Sequence, residues 1–252
     1  YHNSSNLINS SVVKVNNSNL NHNSENKIVL DKILINLDLI AKDANQQDDI
    51  FCDLLLDKLN SVFKFFECKA SLVKKKLNSI NLWRSLCSQV FDDNFEHWTE
   101  AAIKSISFFG LNEAIKYHCG IELDRIDKSE FFALRIVNLM EEVIDEKNDG
   151  EGTNFVLSQP HYANYLSKSW SNGKSPLTKH PCEYSPKIIR NDANLSLSKK
   201  IAVFKKFEEI IRGGVMFNST FNHDETTLND HLNALFQSKL HAFSICNNNY
   251  NY

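Results

Sequence analysis

The sequence predicts an α/β fold, and three observations carry that prediction. A dense aliphatic stretch at residues 28–41 has the length and branching of a buried strand that leads into a helix. Residues 49–77 place Cys52, Leu55, Leu56, Leu59, Val62, Phe63, Phe66 and Ala70 at helical spacing, which makes one long amphipathic helix. Towards the C-terminus, a helix at 196–211, a strand at 213–217, a helix at 225–238 and a strand at 239–245 alternate in the manner of an α/β fold.

The other elements follow in order. Residues 1–27 are rich in Asn and Ser with apolar islands at Leu7-Ile8 and Val12-Val13, and read as irregular with one short strand at most. Helices are expected at 82–91, 94–104 and 111–118, the last ended by Gly120 as a C-cap. Another spans 129–147, with Phe132, Ile136, Leu139, Met140 and Val143 along one side, and Asp127 or Ser129 as its cap. Asp149-Gly150-Glu151-Gly152 stops it, and a short strand at 153–157 follows. Residues 158–194 hold all four prolines and read as a long irregular excursion. The expected organisation is an irregular segment at 1–27, one domain at 28–245 and an Asn-rich tail at 246–252. Both Asn-rich ends have the composition of disorder, because such tracts bury too little apolar surface to offset chain entropy.

With 42% hydrophobic residues, the 252-residue chain can build one large core or two modest ones. Its net charge is −3, so no global basic field gathers phosphates and non-specific nucleic-acid binding is not implied. Cys52, Cys68, Cys87, Cys119, Cys182 and Cys246 form no close pair. That spacing suits neither a disulfide framework nor a zinc site of paired cysteines, and fits a reducing compartment, mitochondrial matrix or cytoplasm. No apolar run approaches the roughly 20 residues that span a bilayer, and the polar start lacks the regions of a signal peptide. The chain begins at Tyr1 rather than Met, and so reads as a processed or partial piece. Abundant Asn and Lys beside 7 Gly and 4 Pro resemble codon drift in an AT-rich genome.

Single residues give little chemistry. His223, Asp224 and Glu225, with His231 and His241, are metal-capable, but their spacing matches no zinc or iron pattern and reads as a helix cap with an acidic first turn. His97, His118, His161 and His180 read as loop and surface residues. Gly150 with Gly152, and Gly213 with Gly214, do not form the strand-to-helix loop that cradles phosphate. Lys58, Lys64, Lys69 and Lys74 to Lys76 read as a solvated helix face. A competing nucleic-acid reading would use Lys69 to Lys76 and Lys199 to Lys206 as phosphate contacts inside a ribonucleoprotein particle. Among Trp83, Trp98 and Trp170, Trp170 is the best candidate for a partner contact.

Several short blocks in order resemble the anaerobic, class III, glycyl-radical ribonucleoside-triphosphate reductases. Asn6-Leu7-Ile8-Asn9-Ser10 is similar to that family's N-F-I-N-S segment, and Ile35-Asn36-Leu37-Asp38-Leu39-Ile40-Ala41 to its I-N-L-P-R-I-A strand and turn. Ser107-Phe108-Phe109-Gly110-Leu111-Asn112-Glu113-Ala114-Ile115-Lys116 is similar to its G-L-x-G-L-N-E-A-I-K block, the most specific match, and Cys119-Gly120 follows where the family has T-G. Residues 133–137 leading to 153–157 resemble the helix and strand before its P-A-E loop. Residues 195–211 resemble its D-L-S-L segment, and Gly213-Gly214-Val215-Met216-Phe217 its N-G-G-H-I-F strand. The likeness runs over residues 6–245, the middle and C-terminal part of such an enzyme. It implies a helix-rich fragment of a ten-stranded α/β barrel without the barrel's N-terminal half.

In the family, a glycyl radical turns a cysteine on a finger loop into a thiyl radical that takes the 3′-hydrogen of the ribonucleotide. The interval between Ser10 and Ile35 holds no cysteine, and Cys52 lies on a helix stripe where it reads as a small buried hydrophobe. After Gly214 there is no glycine, and Cys246 stands without a zinc-binding pair. At Gln159-Pro160-His161-Tyr162 the family's glutamate is gone, and Cys182-Glu183-Tyr184-Ser185 keeps only a loose likeness to its Y-T-N-S segment. No catalytic, cofactor-binding or metal-binding residue is therefore assigned, and no cofactor or small-molecule substrate is expected. The expectation is a pseudoenzyme that acts as a structural or interaction subunit among protein partners, such as those of an organellar ribosome. The alternative is one piece of a split reductase that makes deoxyribonucleotides.

Overall fold

The computed structural model describes residues 6–8, 14–16, 29–91, 102–158, 187–190, 193–221 and 225–247. Two short strands come first: β1 (Asn6–Ile8) pairs antiparallel with β2 (Lys14–Asn16), Leu7 opposite Val15. One strand at most was too few, because a strand must satisfy its backbone groups and the nearby segment supplies the partner.

β3 (Val29–Asn36) runs directly into α1 (Leu37–Ala44), as the aliphatic stretch predicts. Asn36 makes the switch, since its Oδ1 accepts the Leu39 N–H at 3.1 Å and caps the helix. α2 (Asp48–Ser79) buries Phe51, Leu55, Leu59, Val62, Phe63 and Phe66, while Lys58, Lys64, Lys75 and Lys76 stay exposed. α3 (Asn81–Phe91) continues from it.

β4 (Ile103–Phe109) corrects the expected helix at 94–104: Ile103 and Lys104 open a strand, and residues 94–101 lie outside the described part. All seven of its residues are buried, so no alternation of polar and apolar side chains marks it in the sequence. β4 is the centre of a parallel sheet, between β3 and β5 (Phe155–Leu157), with Ile106 beside both Ile33 and Leu157. β6 (Phe217–Phe221) and β7 (Phe243–Asn247) form a second parallel pair.

Parallel neighbours cannot be joined by a tight turn, so the connections carry helices. α4 (Leu111–Cys119) and α5 (Asp127–Glu151) lie between β4 and β5, α6 (Leu197–Ile210) between β5 and β6, and α7 (Glu225–Gln237) between β6 and β7. α4 ends at Gly120 at φ 73°, a conformation that costs a residue without Cβ little. Neither Asp127 nor Ser129 caps α5; the N-cap is Ile126, with no side-chain cap bond. Ser129 is instead fully buried, its Oγ 2.9 Å from the Glu122 carbonyl and 2.8 Å from that of Ile126. Ser129→Ala should cost about 1–3 kcal/mol in chemical denaturation, since it removes the hydroxyl that holds the turn before α5.

Both C-terminal strands begin later than the sequence implies. Lys239 at φ 57° cannot continue a strand, which moves β7 to Phe243. Ahead of β6, Gly213 lies so close to β5 that a Cβ on it would fall 2.1 Å from the Leu157 carbonyl oxygen. Asn148 fixes the other end of β5: its Oδ1 accepts the Phe155 N–H at 2.8 Å and its Nδ2 donates to the Phe155 carbonyl at 2.9 Å. Between helices and sheet, the Phe155 ring meets Phe63 and Phe66 edge-on, with centroids 4.8 and 5.6 Å away.

Candidate functional site

Side chains alternate along a strand, so β4 divides its residues between two faces. Lys104, Ile106 and Phe108 look toward the helices, as the Lys104 ammonium 5.4 Å from the Phe155 ring centroid shows. Ser105 and Ser107 look the other way. Lys32 of β3 sits beside Ser105 in register, and the Ser105 Oγ lies 2.7 Å from the Oγ of Ser158, just past β5. All three serines are 0% exposed, and the Ser107 hydroxyl has no hydrogen-bond partner. The sheet face turned from the helices thus carries three buried hydroxyls.

Among the described residues Lys32 is the titratable group of that face. Burial lowers its ammonium from 10.5 to about 8, because the charged form loses hydration. A folded-state value below the unfolded one gives stability that is complete above 10.5 and lost as pH falls through about 8. Lys32→Met should therefore exceed the parent in stability at pH 7 by up to about 3 kcal/mol, with the gap narrowing toward pH 10 in urea titrations. At the C-terminal end of β4, Asn112 donates to the carbonyls of Lys187 (2.8 Å) and Ile188 (3.2 Å), while its Oδ1 is buried without a partner. The arrangement gathers buried hydroxyls and an amide oxygen beside a cation of lowered pKa. Its one sequence signal is the pair of serines two apart in an otherwise apolar run, Ile103-Lys104-Ser105-Ile106-Ser107-Phe108-Phe109.

The structure separates the residues that the sequence put forward. Cys52 is half-buried on α2 and lines a cleft of about 860 Å³ with Arg135, Glu141, Asp145 and Arg212. Burial raises its thiol above the ordinary value, so it stays protonated at neutral pH. Glu141, also raised by burial against the pull of Arg212 at 2.7 Å, is the buried acid of that cleft. His231 and His241 do not meet: His231 bonds Ser219, and the His241 Nδ1 lies 3.7 Å from Glu208. Among the described residues no group of His, Cys, Asp and Glu could hold a metal ion. His118 is not a surface residue. Its side chain is 5% exposed, its Nε2 is 2.8 Å from Asp48, and its ring stacks on Phe132 at 4.2 Å. Those partners lie far away in sequence, where spacing gives no clue. Lys69 pairs with Asp31. His97, His161, His180, His223, Asp224, Trp98, Trp170 and Cys182 lie outside the described residues, as do the side chains of Cys87, Glu225 and Cys246. No helix among the described residues is long and apolar enough to cross a membrane.

Parallel strands with helices over one face and buried hydroxyls on the other suit an α/β barrel wall. The chain is similar in structure to anaerobic ribonucleotide reductase from Thermotoga maritima, solved with MES in the active site (TM-score 0.71, 15% identity, 87% of this chain and 37% of that one). It is likewise similar to the same organism's enzyme with glycerol in the active site (TM-score 0.69, 15% identity, 87% and 36%). The form with citrate in the active site gives a TM-score of 0.68 at 15% identity, over 88% and 40%. No curated protein matches the chain. Residues 8–251 match the family described as anaerobic ribonucleoside-triphosphate reductase, and the chain belongs to that family. Its fold is a helix-rich fragment of the reductase α/β barrel, and it spans a little over a third of the length of those solved enzymes.

Proposed function

We propose that this chain is a non-catalytic member of its family and serves as a structural or interaction subunit of a larger protein assembly in a reducing compartment. One observation supports this reading: among the described residues β3 is the last strand of its sheet, and beside it lies an apolar groove of about 340 Å³ that includes Leu34, Val62 and Phe65. Leu34 and Phe65 are exposed, and a partner that covered this groove would bury both. α3 adds Leu82, Trp83 and Leu86, all exposed, as a second apolar face. Where a thiol is described, at Cys52, Cys68 and Cys119, it sits on a helix rather than on the sheet face with the buried serines.

A second reading, one piece of a split ribonucleotide reductase, draws on the polar face around Lys32, Ser105, Ser107 and Ser158. Isolation from the native source at natural abundance separates the two. The structural reading expects protein subunits to co-purify, and expects Phe65→Glu to release them while the isolated chain keeps its helical circular dichroism. Ribonucleotide reduction by the isolated assembly after anaerobic radical activation would overturn it in favour of the second reading.

A further inference from the structure

Two surfaces of this chain complement each other in charge and in apolar character. The first lies where α2 meets α3: Leu72, Ile80, Leu82, Trp83 and Leu86 are all exposed, Leu82 at 67% and Trp83 at 56%. Residues 68–91 contain Lys69, Lys74, Lys75, Lys76 and Arg84 and neither Asp nor Glu. Lys69 is paired with Asp31, but Lys75 and Lys76 are exposed, and Arg84 donates at 3.2 Å to the Asn78 carbonyl and side chain, both neutral partners. The second surface is the cleft of about 860 Å³ between α5 and α6, with Phe131, Leu134, Leu139 and Ile210 as its apolar lining. The cations that line it are held by carboxylates: Arg212 by Glu141 and Asp145, Lys206 by Glu130, and Arg135 by Asp48. Glu142 and Glu209 line it too, both exposed, and among the described residues neither is ion-paired.

We propose that a second copy of this chain docks its α2–α3 junction into this cleft, so that copies join head to tail. The junction lies too far away to fill the cleft of its own chain. Cys52 lines the cleft from the start of α2, and at 1.5 Å per residue roughly 40 Å of helix separates it from Ser79 at the other end. In the docked pair Leu82, Trp83 and Leu86 cover the apolar lining, and Lys75, Lys76 and Arg84 face Glu142 and Glu209. Complementary charge sets the register and speeds the encounter, while the buried tryptophan supplies most of the affinity. Because the two surfaces differ, a docked pair keeps one of each open, and further copies extend it into a ring or an open chain. This gives the α3 face of the subunit reading an occupant. Purified chain tests it, so failure here leaves the co-purification that tests that reading undecided.

Sedimentation velocity of the full chain over a range of concentrations tests the proposal. The mean mass should rise with concentration at low ionic strength and fall back on addition of salt. Trp83→Glu, which breaks the junction, and the double variant Glu142→Lys with Glu209→Lys, which breaks the cleft, should each weaken self-association at least about tenfold. Both change exposed residues, and helical circular dichroism checks that each variant is folded. An equimolar mixture of the two variants is the decisive arm. One retains an intact cleft and the other an intact junction, so the mixture should form a one-to-one dimer and nothing larger. A parent chain that stays monomeric throughout would overturn the proposal and leave the α3 face to a different protein. Self-association that both variants retain, or a mixture that stays monomeric, would overturn it as well.

Discussion

Gly213→Ala is expected to cost more stability than alanine at Gly120, Gly150 or Gly152, where an added Cβ meets nothing within 4 Å. The added Cβ would sit 2.1 Å from the Leu157 carbonyl oxygen and 2.8 Å from its carbonyl carbon, both backbone atoms of β5. A flexible side chain could rotate away from such an approach, but a strand bonded to its neighbour cannot. β5 is fixed on its other side by the parallel ladder to β4 and at its start by Asn148, so the segment before β6 must move instead. Overpacking of a well-ordered core typically costs about 1–3 kcal/mol, and a backbone clash at a junction between elements lies at or beyond the upper end. The matched control is Gly150→Ala. Gly150 lies within α5, a Cβ there meets nothing within 4 Å, and the substitution should raise stability by about 0.5–1 kcal/mol. Opposite signs in thermal denaturation are the expected result, and equal signs would show that the approach to Leu157 does not constrain the fold.

The same glycine shows where the sequence can be read and where it cannot. Gly213-Gly214 was visible as a cluster, but its role depends on β5, over fifty residues earlier, and no local pattern predicts that contact. Helices declared themselves through local periodicity: α2 and α7 lie close to their expected limits, and Gly120 ends α4 as its type suggests. β4 does not, because a strand covered on both faces shows no alternation, and the helix that the spacing predicts over 94–104 takes in its first two residues. The face with the buried serines is not legible in the sequence for a related reason. It is assembled from β3, β4 and the end of β5, and each contributes one or two ordinary residues. Family membership was legible because blocks survive in order, whereas the structural neighbours at 15% identity speak to the fold alone.

Phe155→Ala should be the most damaging substitution in the packed layer between helices and sheet, at about 3–5 kcal/mol. Phe155 is 3% exposed and opens a strand of only three residues, so its ring is the main apolar anchor of β5. Four groups converge on it: Phe63 and Phe66 from α2 edge-on, Lys104 from β4 over its face, and Asn148 from α5 on its backbone. Truncation would remove the two aromatic contacts, each worth about 0.5–1.5 kcal/mol beyond area, and leave a void that the helix cannot fill without leaving the sheet. The Asn148 bonds would survive, since they go to main chain, so β5 should loosen rather than detach. Phe155→Leu, which keeps most of the volume, should recover more than half of the loss. Phe131→Ala, at a ring that is 69% exposed, should change stability by no more than about 0.5 kcal/mol. Amide hydrogen exchange gives the spatial readout: protection at Ser158, whose N–H donates to the Ile106 carbonyl at 2.8 Å, should fall first in Phe155→Ala. Undiminished protection there, with full stability, would mean that the β4 ladder alone holds β5 and that the aromatic layer is incidental to it.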